Sequence, residues 1–221
     1  MTENEEMRDL EIRLSLDPWD VDAYIEKAML LNDRGKQEEV SQCLETAEII
    51  TGGIEDDLER KTIQSTIYFV RSKLEQEDPQ KYLANLGIVI QLRASEEHVG
   101  YAYELLGDHF LKREEFDLAT EAYCAAFQTM PTAEVLYKWA ASYYKNDDYL
   151  GTLIVLFQHK EMGATESRFP ILRAYAEYKL GNIKNATEEL GNARELGKLE
   201  ADQEELFAYL LKEPQENQGT W

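Results

Sequence analysis

The stretch LGDHFLKREEFDLATEAYCAAFQTMP, Leu106 to Pro131, decides how the rest of the chain is read. Phe116, Ala119, Tyr123 and Ala126 follow one another at gaps of three and four, as do Gly107 and Phe110, which is the spacing of one face of an α-helix. Between Phe110 and Phe116 lies the polar run KREE, a turn after which the periodicity restarts on a second helix. Small residues at Gly107, Ala119 and Ala126 stand where two backbones approach, and Phe110 and Tyr123 fill the space beside them. Pro131 cannot continue the second helix and closes the unit. The stretch therefore predicts a tightly packed helical hairpin.

The hairpin recurs. Counting a unit from Gly100 places Leu106 and Gly107 at its seventh and eighth positions, and units counted from Ala133 and Ser167 follow at steps of 33 and 34 residues. The unit from Ala133 carries Leu136, Trp139, Ala140, Tyr143 and Tyr149 at the repeating positions. The unit from Ser167 holds Ala174, Gly181, Ile183, Ala186, Leu190 and Ala193 at its positions 8, 15, 17, 20, 24 and 27. An earlier unit from Val21 holds Tyr24, Ala28, Leu31, Gly35, Leu44 and Ala47. A fixed period of this length is the mark of a repeat array, in which each unit buries its face only against its neighbours.

In its pattern of Tyr103, Leu106, Gly107, Phe110, Ala119, Tyr123, Ala126 and Pro131, the unit at 100–133 resembles the tetratricopeptide repeat, a helix-turn-helix of 34 residues. The units from Val21 and Ser167 match fairly. The unit from Ala133 matches more loosely, with Asp147 at the usual turn glycine and Thr152 and His159 at usual alanines. The resemblance implies an all-α fold, a right-handed superhelical solenoid of helical hairpins. Its expected divisions are an N-terminal capping helix in 1–20, a repeat at 21–54, an irregular hairpin at 55–99, repeats at 100–132, 133–166 and 167–200, and a C-terminal capping helix and tail at 201–221. The irregular segment should form a long helix from about Asp56 to Gln76 and a second from Pro79, with Asp78 as its cap. The capping helix from Ala201 should turn Leu206, Phe207, Leu210 and Leu211 inward, and the tail PQENQGTW should fray.

Composition narrows the function. The 221 residues carry a formal net charge of −21, and the first sixty hold six Lys and Arg against eighteen Asp and Glu. Such a field repels nucleic acid and anionic membrane surfaces and favours basic protein segments. No apolar run approaches the roughly twenty residues that span a bilayer. The acidic N-terminus has no apolar core of a signal peptide, and the two cysteines, Cys43 and Cys124, form no metal or disulfide motif. A reducing, cytoplasmic setting is the expectation. Neither catalysis nor a cofactor is expected. His98, His109 and His159 lack a second ligand at metal-site spacing, and the paired carboxylates fall at turns and helix starts.

What remains is binding. In the resembled family the first helix of each repeat lines a concave groove. The resemblance carries that groove to Tyr101, Glu104 and Asp108 in the unit from Gly100, to Glu134, Tyr137 and Tyr144 in the next, and to Arg168, Tyr175 and Tyr178 in the last. Family members that clamp the carboxylate tails of heat-shock chaperones use lysine and asparagine where this chain has Ile25, Glu104, Tyr137 and Ile171, and Met29, Asp108, Ala141 and Tyr175. That clamp is missing. The reading is a non-catalytic adaptor or chaperone-like scaffold that holds a basic or extended segment of another protein. The alternative is a structural scaffold that self-associates as a homodimer or larger oligomer. On the same residues, the tyrosines either face a partner or pack between neighbouring helices.

Overall fold

The computed structural model describes residues 3–163 and 165–212. Among them there are twelve α-helices, one short 3-10 turn at Lys160–Gly163 and no strand. The chain divides into two compact units between Tyr103 and Glu104. The first holds α1 (Glu3–Leu16), α2 (Val21–Asp33), α3 (Gln37–Gly52), α4 (Asp57–Leu74) and α5 (Pro79–Leu92). The division falls inside α6 (Glu96–Lys112). The second unit continues with α7 (Phe116–Thr129), α8 (Ala133–Lys145), α9 (Tyr149–Gln158), α10 (Arg168–Lys179), α11 (Ile183–Leu196) and α12 (Ala201–Leu210). Helices adjacent in sequence pack on one another: α1 on α2, α2 on α3 and α4 on α5 in the first unit, and α7 on α8, α8 on α9, α10 on α11 and α11 on α12 in the second. The fold is an all-α helical-repeat solenoid. The tail PQENQGTW lies outside the described residues.

Local chemistry sets the helix starts. Asp20, Asp56, Asp78, Thr132 and Asp148 each accept a backbone N–H from the first turn of the helix that follows, satisfying donors no helix can pair internally. Pro79 opens α5, where its missing N–H costs nothing. A capping box of Glu200 and Gln203 starts α12.

The turns repeat too. Gly35, Glu114, Asp147 and Gly181 all stand in the left-handed region, at φ of 70°, 60°, 58° and 80°. Each is the fifteenth residue of its unit counted from Val21, Gly100, Ala133 and Ser167. The chain reverses the same way in all four, and only two of the four use glycine, the residue that adopts this conformation without strain.

Where the helices of a hairpin cross, side chains are small and wholly enclosed. Ala28, Ala140 and Ala174 on first helices, and Ala47, Ala119, Ala126, Ala186 and Ala193 on second helices, have no exposed surface. Gly107 is the tightest point. A Cβ there would lie 2.5 Å from the ring of Tyr123, itself fully buried, with its hydroxyl donating to Asp108 Oδ1 at 2.7 Å. Thr152, which takes the place of an alanine, is buried because its hydroxyl finds the carbonyls of Ala140 (3.3 Å) and Asp148 (3.0 Å).

Two details depart from the sequence expectation. Helix α6 begins at Glu96, four residues before the unit counted from Gly100. Leu206, Phe207 and Leu210 do join the C-terminal core, but Leu211, the C-cap of α12, keeps helical backbone and is 63% exposed, on a side of the helix that the core does not cover.

Two substitutions test the turn and the crossing. Gly107→Ala should lower stability by about 1–3 kcal/mol, the cost of overpacking against a ring that cannot retreat. Glu114→Gly, at an exposed left-handed position, should raise stability by about 0.5 kcal/mol, since roughly 1 kcal/mol of strain is relieved against part of that in glycine entropy. Urea unfolding followed by circular dichroism measures both; the opposite signs would show that neither geometry limits the hairpin.

Candidate functional site

The expected groove residues fall into three groups. Tyr101 belongs to the first unit, 39% exposed, with its ring centroid 6.2 Å from that of Phe69. The other eight belong to the second unit, on the later part of α6, on α8 and on α10.

The acidic members are held by internal cations. Lys138, on α8, donates to Glu104 Oε1 at 2.7 Å and Asp108 Oδ2 at 3.0 Å, partners 34 and 30 residues earlier. Burial alone would push its ammonium pKa down, but the two carboxylates overcome this and raise it. Arg168 makes the matching bridge one unit later, from Nη1 to Glu134 Oε2 at 2.6 Å, also across 34 residues. A second contact joins its Nε to Glu166 at 2.8 Å. Lysine and arginine thus stitch α8 to α6 and α10 to α8 at about the period of the repeat. Sequence reasoning missed Lys138. The signal was there, a lysine one period after Glu104.

The tyrosines separate from these. Tyr178 packs against the core built by Ala174, Ala186, Leu190, Ala193, Leu199, Phe207 and Leu210, where Ile171 also sits. Tyr137, Tyr144 and Tyr175 are partly buried and run along α8 and α10. The guanidinium of Arg168 lies 4.8 Å from the ring centroid of Tyr137, which also meets Phe169 edge-on at 5.7 Å. Tyr144 sits between Tyr149 at 5.3 Å and Tyr175 at 6.5 Å. The Tyr175 hydroxyl reaches toward Asp202 on α12 at 3.5 Å. No hydrogen bond joins the hydroxyls of Tyr137 and Tyr144 to another of the described residues. The result is an aromatic strip with a cation at one end, acidic residues beside it and two unused phenolic groups.

No cluster of three His, Cys, Asp or Glu that could hold a metal occurs among the described residues, and no described helix is long and apolar enough to cross a membrane. His159 meets Phe127 edge-on at 4.7 Å, and burial lowers the pKa of His98 and His109.

No protein-family model matches the sequence, and no curated protein is significantly similar to it. Solved structures share the fold. A chain of the APC/C hetero-tetramer Cut9–Hcn1 superposes with a TM-score of 0.54 at 14% identity, over 96% of this chain and 40% of that one. A kinesin light chain of nearly identical TPR-like repeats from Podosopora anserina gives 0.55 at 16% identity, over 81% of this chain and 95% of that one. The present chain thus spans less than half the length of the first and most of the second. By fold it is similar to tetratricopeptide-repeat proteins.

The buried phenols give the unit an alkaline weakness. Burial raises the pKa of Tyr137, Tyr144 and Tyr175; burial, followed by the Asp108 carboxylate, raises that of Tyr123 further; and the hydrogen bond to Asp147 moves Tyr149 up to about 12. A phenol whose pKa is raised on folding keeps its proton in the native state while the unfolded chain loses it above a pH of about 10. That stability is fully present below pH 10 and falls as pH climbs toward the folded values. Melting temperature should therefore drop steeply above pH 10, and tyrosinate absorbance should rise with unfolding rather than before it. Tyr123→Phe should flatten the drop; an unchanged slope would show that Tyr123 titrates without resistance.

Proposed function

We propose that the chain is a non-catalytic binding module whose second unit holds a segment of another protein against Tyr137, Tyr144 and Tyr175. One observation carries this reading. The charged residues of the expected groove are paired internally, whereas these three aromatic rings stand partly open, two of them with unused hydroxyls. Tyrosine suits such a face because it offers a broad, stiff contact area with few torsions to freeze and a polar tip to fix register. Arg168 and Asp202 at the ends of the strip would respectively donate to and accept from the backbone or side chains of a bound segment. The repeat-containing Cut9–Hcn1 structure, a hetero-tetramer, is one case in which this fold assembles with other chains.

Self-association is the second reading, and α9 favours it. That helix, YLGTLIVLFQ, carries no charge and exposes Leu150, Ile154 and Phe157 at 61%, 56% and 48%, four and three residues apart on one face. An apolar stripe of this kind on a strongly acidic protein is a natural contact for another surface.

Partner capture from the cell of origin, followed by titration of the captured protein, separates the two. Tyr144→Ala and Tyr175→Ala should each weaken binding by roughly 2 kcal/mol, about thirtyfold, with melting nearly unchanged. A loss of about 3–5 kcal/mol in stability with binding intact would instead mark them as packing residues. Light scattering over a dilution series should show a monomer; a dimer abolished by Ile154→Asp would favour self-association.

A further inference from the structure

We propose that the cleft between α1 and α2 is a second docking site, independent of the tyrosine strip, for a basic segment of another protein that carries a large apolar side chain between lysines or arginines. The cleft lies wholly within the first unit. It has a volume of about 390 Å³ and is lined by Glu6, Asp9 and Leu10 on α1 and by Glu26, Met29, Leu30 and Asp33 on α2. Both helices bring carboxylates and apolar residues to it. On α1, carboxylates at Glu6 and Asp9 adjoin Leu10; on α2, carboxylates at Glu26 and Asp33 bracket Met29 and Leu30, one stripe of a helix at spacings of three and four.

The floor is apolar and the rim is anionic. Leu10 is 3% exposed, whereas Met29 stands 49% exposed in the mouth. Methionine is unbranched and polarizable, and it shapes itself to an incoming side chain. The volume falls within the range of about 300–1,000 Å³ found for ligand pockets, ample for one large apolar group. No lysine or arginine lines the cleft. Arg13 takes up part of the charge, reaching Glu26 at 2.9 Å and forking onto Asp20 at 3.0 and 3.3 Å. Glu6, Asp9 and Asp33 have no ion pair among the described residues.

Charge decides the occupant. The site sits in the most acidic part of the sequence, where six basic residues face eighteen acidic ones over the first sixty positions. A second copy would bring its own −21 charges to the contact, and an anionic lipid or nucleic-acid surface would meet the same repulsion. A basic segment is attracted at long range and oriented by the rim, and its apolar side chain supplies the burial that charge alone does not.

The test uses the full chain and a fluorescein-labelled twelve-residue peptide with a central Leu-Phe pair flanked by lysines, followed by anisotropy at about 0.1 M salt, where fields decay over about 10 Å. Saturable binding is expected, weakened at least tenfold by Asp9→Asn combined with Asp33→Asn, and again by Met29→Asp. Replacing Leu-Phe by Ser-Ser in the peptide should also cost at least tenfold, and Tyr144→Ala should change nothing. Circular dichroism of each variant shows that the helices persist, and Met29 is exposed enough for its change to be tolerated. Any of these results would overturn the proposal: no saturable binding up to about 100 µM; equal binding of the serine peptide; indifference to the cleft substitutions; or a dimer of the protein that Met29→Asp abolishes. Loss of binding on Tyr144→Ala alone would assign the peptide to the tyrosine strip and also overturn it.

Discussion

Two helices of one hairpin can cross closely only if the residues at the crossing are nearly without side chains, and much else in this protein follows from that demand. Gly107 yields its whole side-chain volume to the ring of Tyr123. Ala119 and Ala126, one turn to either side of that tyrosine, have no exposed surface. Interiors pack at the density of organic crystals, so a ring that fills the gap left by a glycine leaves no freedom for either partner. Held this way, Tyr123 directs its hydroxyl to Asp108, and Asp108 in turn receives Lys138 from the next hairpin. The crossing therefore sets the position of the charged link between repeats.

Those links explain how a protein of net charge −21 keeps its first helices aligned. Lys138 to Glu104 and Arg168 to Glu134 each span 34 residues, so the first helices of neighbouring repeats are tied together about one period apart. The Lys138–Glu104 pair is partly shielded from solvent, which strengthens its attraction, whereas Arg168–Glu134 is an exposed pair that orients more than it stabilises. Deeper in the second unit Arg173 meets Glu189 at 3.0 Å, and the buried Glu177 accepts from Asn182 at 2.7 Å and Asn185 at 3.2 Å. Scarce basic residues are thus committed inside the fold. The acidic excess is left on the outside, around the α1–α2 cleft among other places, where it selects against acidic partners.

The helix content, the turns and the small-residue crossings were legible in the sequence because each depends on residues close together along the chain. Spacing of three and four reveals a helical face, and Asp78-Pro79 reveals a helix start. The site was legible only in part. Tyr137, Tyr144, Tyr175 and Tyr178 all fall at expected groove positions, Tyr144 and Tyr178 at the same one. Yet Tyr178 lies on the α10–α11–α12 core, while the other three run beside Arg168 and one another. That difference arises because α12 follows the last repeat and brings Phe207 and Leu210 to one side of α10.

The sequence by itself determined that this chain is a helical repeat and that it carries a large acidic excess, since both are sums over local pattern or composition. Tertiary structure alone decided which charges were spent on internal bridges and which stayed open. A carboxylate such as Glu104 carries the same charge as Asp9. Only packing brings Lys138 to within 2.7 Å of the first and places the second at the rim of an apolar cleft. The physical reason is that charge and aromatic contact fall off steeply with distance, and distances between repeats are fixed by packing across about one period rather than by neighbours along the chain.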